Sequence, residues 1–152
     1  MSQEEIRLIH NQLHTAQDKY TYFLLAIAAS AIAFSVQITK TDVFSVSLAP
    51  LGLAVLSWAG SFFVGCRYVE YVNSTLFANA EYLKVKAGIH PEAGSNPSYI
   101  QAASEGIMDA MQSNSKKASA LGRSQFRLLI LGGVLFVIWH IAEMAIRSAV
   151  GN

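Results

Sequence analysis

Charge is scarce in this chain: Lys and Arg number 11 and Asp and Glu 10, so 14% of residues are charged, against about 25% in ordinary soluble domains. Cysteine is almost absent. Cys66 alone excludes an intrachain disulfide, and its place at the end of an apolar run suggests packing with no redox duty. Signature motifs are missing too. No GxxxxGK[ST], no GxGxxG opening a helix, no HExxH and no GxSxG occurs, so the common phosphate-cradling, dinucleotide, zinc-protease and serine-hydrolase chemistries have no carrier here. An enzyme is not expected, and neither a cofactor nor a metal is implied. The net charge of +1 says little else, and no duplex nucleic acid partner is expected.

What the chain has instead is long apolar runs. Residues 21–39 and 43–66 carry no formal charge over nineteen and twenty-four positions, and residues 128–142 add fifteen more, extending to 146 if Glu143 is tolerated. About 20 mostly apolar residues suffice for a helix to cross a hydrocarbon core of roughly 30 Å, so three spans are predicted. Glu4, Glu5 and Asp18 precede the first run. A cleavable leader would not normally carry them, and although Ala31-Ile-Ala33 resembles a cleavage site, the run reads as an uncleaved anchor.

With three spans, the N-terminal segment and the long link share a side and hold nine of the basic residues, against Lys40 and Arg147 on the other. The positive-inside rule then places the N-terminus and residues 67–127 in the cytoplasm and the C-terminus outside. The expected order is a cytoplasmic amphipathic helix (1–20), a first span (21–39), a short external turn (40–46), a second span (47–66), a cytoplasmic helical hairpin (67–127), a third span (128–146) and an external tail (147–152).

Helical periodicity runs through the polar segments as well. Ile6, Ile9, Leu13 and Ala16 alternate spacings of three and four and continue in phase into Tyr20 and Phe23. Val69, Val72, Leu76, Ala80, Leu83 and Ala87 do the same until Gly88, with Pro91 beyond. Asn96 suits an N-cap and Pro97 the first helical position, and Ile100, Ala103, Ile107, Met111, Asn114, Ala118 and Leu121 then lead into the third span. The fold class is thus an all-α membrane protein. Three transmembrane helices extend into a cytoplasmic helical stalk, and the small residues on its seams call for self-association into a homo-oligomeric bundle.

Several constellations carry two readings each. Small residues at Ser57, Ser61 and Gly65, at Ala26 and Ser30, and at Gly132 and Gly133 permit close helix approach, within one chain or between subunits. His140 and Glu143 share one face of the third span: they either mark its outer interfacial end, with Arg147 four residues on, or face a pore lumen or subunit seam. Two ligands from one helix leave a metal site there incomplete. His10 and His14 form an i, i+4 pair continued by Asp18, which suits a solvated or subunit-facing surface better than a metal site without a third ligand. Lys116, Arg123 and Arg127 form one basic stripe, to which Lys84 and Lys86 would add. It is either a belt on membrane lipid headgroups or, multiplied by symmetry, a site for a phosphate-rich ligand stacked on Tyr68, Tyr71, Tyr82 or Tyr99.

An amphipathic helix running through Ala16-Gln-Asp-Lys-Tyr-Thr-Tyr-Phe23 straight into a membrane hairpin, then a helical cytoplasmic segment, resembles the small transmembrane effectors of bacterial nucleotide-signalling antiphage systems. Those include the two-span effectors and the Hailong membrane effector. The likeness is one of architecture; the third span departs from the two-span pattern. It implies a homo-oligomer in the bacterial inner membrane. It also implies a pore held closed until a nucleotide or oligonucleotide second messenger changes, then depolarisation. From another class, the rival is a non-conducting scaffold or assembly subunit of a larger membrane complex, holding its partner through Ser57, Ser61 and Gly65. A proton-coupled transporter element is a weaker third reading, since three spans show no inverted repeat.

Overall fold

The computed structural model describes residues 3–40, 46–92, 94 and 96–150, apart from a few side chains near the two ends and at Val46. Three helices account for almost all of them: α1 (Gln3–Ile38), α2 (Ala49–Lys86), entered through a single 3-10 turn at Val46–Leu48, and α3 (Pro97–Val150). No strand occurs among the described residues. All three are long and apolar enough to cross a membrane. At 36, 38 and 54 residues they measure roughly 54, 57 and 81 Å, well beyond a core of roughly 30 Å. Each is longer than a crossing requires.

The helix ends follow from local chemistry. Gly88 takes φ 69, and with Gly88 N–H on the Val85 carbonyl (3.0 Å) and Ile89 N–H on the Lys84 carbonyl (3.1 Å) it closes α2 in a Schellman motif. Asn96 Oδ1 accepts from Ser98 N–H at 3.0 Å and caps α3, whose first residue is Pro97. Pro50 likewise sits in the first turn of α2. Most of the expected turn at 40–46 lies outside the described residues, and α3 runs on through 147–150 where a tail was expected.

The chain divides into two units, Met1–Gly65 with Ser124–Asn152, and Cys66–Arg123. In the first, Leu24, Ala28, Ala54, Trp58 and Leu129 form the core, with Ala31, Ile32, Leu135 and Phe136 packed against it. Trp58 anchors it by donating its Nε1–H to the Leu129 carbonyl at 3.2 Å. The second unit is an α2–α3 hairpin. Val85, Ser104 and Ala118 are buried, and Asn114 Nδ2 donates to Ser74 Oγ at 3.1 Å.

On α3 the buried residues Ser104, Ala118, Gln125, Gly132 and Trp139, with half-buried Met111, fall every seventh position. A strict heptad spacing is the pattern of left-handed helix packing. The stripe expected at Ile100, Ala103, Ile107, Met111, Asn114, Ala118 and Leu121 is the face that packs.

Three other expectations need correction. On α2 the covered face of the second unit runs through Tyr68, Thr75, Ala78, Tyr82 and Val85, whereas Leu76, Ala80, Leu83 and Ala87 are exposed. With one partner helix only one stripe is covered, and α2 carries two. On α1 the covered stripe is Thr21, Leu24, Ala28 and Ser35, while Ala26 and Ser30 face outward, as do Ile9, Leu13 and Ala16. Cys66 is exposed rather than buried in a packed interior.

Candidate functional sites

The first candidate lies towards the C-terminal end of α3. Phe34 and Ile38 of α1 face Phe136, Trp139, His140, Glu143, Met144 and Arg147 of α3 around a recess of about 410 Å³. Half of its lining is aromatic, and α1 contributes only the apolar Phe34 and Ile38. The His140 ring lies parallel to Phe136, 4° between planes at 6.4 Å between centroids, and Glu143 Oε1 accepts from Arg147 Nε at 3.1 Å. The Trp139 Nε1 is buried without a hydrogen-bond partner. His140 itself is exposed and Glu143 half-buried. The cluster joins a carboxylate, a guanidinium and an imidazole at one helix end, but no nucleophile is paired with a base. Among the described residues no three His, Cys, Asp or Glu side chains converge as metal ligands. His10 and His14 lie in α1, but their side chains are outside the described set.

The second candidate is the basic stripe. Lys116, Arg123 and Arg127 are exposed on α3, and Arg123 Nη1 donates to Ser119 Oγ at 2.8 Å. Lys84 and Lys86 do not join it within one chain. In the hairpin, Tyr68 lies against Gly122 and Ser74 against Asn114, whereas Tyr82 and Lys86 share a recess with Ile100 and Ser104. That level is some twelve residues from Lys116, or roughly 18 Å along α3. Both lysines are also engaged locally: Lys84 Nζ is 2.7 Å from Glu81 Oε1, and Lys86 Nζ lies over the Tyr82 ring at 5.7 Å. Of the tyrosines, Tyr71 carries a cation, Lys117 Nζ at 5.5 Å.

The small-residue positions separate cleanly. Ser61 is fully buried and donates to the Gln125 carbonyl at 2.8 Å. A Cβ at Gly65 would meet Gln125 Nε2 at 2.4 Å and Leu25 Cδ2 at 2.7 Å, and one at Gly132 would strike the Trp58 indole at 2.5 Å. Those three serve packing within the chain. Ser57 instead bonds back to its own helix at the Leu53 carbonyl, 2.8 Å away, and a Cβ at Gly133 meets nothing within 4 Å.

Two residues that matter were not singled out from sequence. Gln125 is 2% exposed, and its Nε2 has no partner. Trp58 fills the notch left by Gly132. The seven-residue spacing from Ala118 through Gln125 to Gly132 was the signal for the first. The chain matches no protein family, no characterised protein and no solved structure.

Proposed function

We propose that the chain is the subunit of a homo-oligomeric membrane effector, an ion-conducting assembly gated through the helical parts that extend beyond the bilayer. The observation that carries this reading is the uncovered face of α2. Leu76, Phe77 and Leu83 are 47%, 69% and 60% exposed, in a part of the helix beyond the reach of a second span ending near residue 66. A bilayer does not cover them there, and contiguous apolar surface in water marks an interface. A second copy of the same hairpin is the simplest cover, since closed symmetric assembly presents the same face on every subunit.

Conduction is supported by the third span. His140 and Glu143 lie in the otherwise uncharged stretch 128–146 of α3, with Arg147 just beyond it, and ionisable groups at such positions favour a lumen or a seam. The signal would be an anionic, nucleotide-type ligand. Symmetry multiplies Lys116 and Arg123 around an axis and concentrates positive potential that no single chain assembles. Such an effector belongs in a bacterial inner membrane with its N-terminus cytoplasmic, the side that holds most of the basic residues, and its helix order resembles that of the small antiphage effectors apart from the third span.

The test is reconstitution of the purified protein into vesicles, with mass photometry in detergent for subunit number and a voltage-sensitive dye for flux. A defined oligomer that dissipates a potassium gradient, with Glu143→Gln altering the rate, is expected. A monomer in several detergents with no flux overturns the reading, and a stoichiometric foreign partner in pull-downs would make the chain a scaffold.

A further inference from the structure

In the first unit a recess of about 770 Å³ lies between α1 and α3. Phe23, Ile27 and Ala31 line it from α1, Ile130, Gly133 and Val134 from α3, and Trp58 also borders it. Its lining contains almost no polar atom apart from the tyrosine at its end, Tyr20. It runs along the apolar stretches of both helices, which are long and apolar enough to cross a membrane. From Phe126 to Ile138 it follows thirteen residues of α3, a rise of roughly 18 Å.

Both walls end in a cation on the same side. Lys19, Phe23, Ile27 and Ala31 succeed one another at i+4 along α1, so Lys19 heads the ridge whose next three members line the recess. Arg127, Ile130, Val134 and Ile138 follow at spacings of three, four and four along α3, so Arg127 heads the facing ridge. Both are exposed. Asp18 adjoins Lys19, leaving Arg127 as the stronger attractor at that mouth.

From this we infer that the recess is a binding site for an anionic membrane phospholipid. One acyl chain lies between α1 and α3, and the headgroup phosphate is held by Arg127 and Lys19 at the mouth. A hydrocarbon chain satisfies an apolar groove of this length. The two cations supply what a neutral occupant would not use, since a basic side chain at a membrane surface favours anionic lipid. Arg127 then belongs to the lipid, and Lys116 and Arg123 remain for a soluble anion. The site does not depend on conduction or on subunit number.

Trp58 borders the recess and the chain has one other tryptophan, Trp139. In a Trp139→Phe background the fluorescence of Trp58 therefore reports occupancy. The protein would be reconstituted with phosphatidylglycerol or phosphatidylcholine brominated on the acyl chains. Stronger quenching by the brominated phosphatidylglycerol, by at least twofold at equal mole fraction, is expected. Lys19→Gln with Arg127→Gln should remove the headgroup preference and leave the background quenching. Gly133→Phe should abolish preferential quenching, because its side chain grows into open space. Equal quenching by the two lipids in the otherwise unaltered protein overturns the site. So does an unquenched Trp58 together with cross-linking between copies of Gly133→Cys in a Cys66→Ser background, which would mean that a second copy's helix fills the groove.

Discussion

Ser61 of α2 donates its hydroxyl proton to the main-chain carbonyl of Gln125 on α3 at 2.8 Å, at a point where neither group meets solvent. Ser61→Ala should cost little, ~0.6 kcal/mol, because the carbonyl keeps its own helical partner and polar contacts inside membrane bundles are individually modest. Ser61→Leu should disrupt the fold, since the helix backbones leave no room at a fully buried site. Unfolding in mixed micelles followed by circular dichroism separates the two.

Three glycines of the first unit should rank in a fixed order when changed to alanine. Gly132 faces a rigid indole held by its own hydrogen bond, so Gly132→Ala should be the worst, at about 1–3 kcal/mol. Gly65→Ala presses on the side chains of Gln125 and Leu25 and should cost less, and Gln125→Ala should relieve part of that cost. Gly133→Ala should be neutral or gain up to about 1 kcal/mol from helix propensity. Thermal melts of the single variants and of the double variant give the ranking.

Leu76→Ser combined with Phe77→Ser should break the assembly without unfolding the subunit. Both side chains are exposed in the single chain, so their loss removes nothing from its core. A fall in particle mass to that of one subunit, with helicity unchanged by circular dichroism, is the expected result.

Gly88→Ala should weaken the α2–α3 hairpin of the second unit by about 1 kcal/mol, because a side chain at φ 69 is strained. Asn96→Ala should cost a similar amount through the lost cap. Faster hydrogen exchange confined to the residues flanking the turn would show both effects.

Glu143→Gln should barely alter stability, under ~0.5 kcal/mol, since its partner Arg147 is largely exposed. Its effect should appear in ion flux. A changed cation-to-anion permeability ratio in reconstituted vesicles is the readout.

The helices and their turns were legible because they rest on local chemistry: the Gly88 stop, the Asn96 cap and the 3-4 spacing need no knowledge of neighbours. The stripe of α3 was legible through Leu121 for the same reason. The register of α2 was not. Its two apolar stripes are equivalent in sequence, and only the position of α3 decides that Thr75, Tyr82 and Val85 turn inward while Leu76 and Leu83 stay out. Gln125 escaped notice because polarity argues against burial, and the room for it comes from the missing side chain at Gly65, sixty positions away. The basic residues were grouped by sign, but grouping in space depends on their level along the hairpin, which separates Lys84 and Lys86 from Lys116.

The seven-residue cadence of α3 from Ser104 to Trp139 limits the ways in which that helix can move. Sliding it along its axis by one or two residues would drive Gln125 from the space beside Gly65 and Gly132 from the Trp58 indole. The next matching position is a whole heptad away, roughly 10.5 Å. Evenly cut teeth of this kind close axial travel and leave rolling and tilting as the cheap motions.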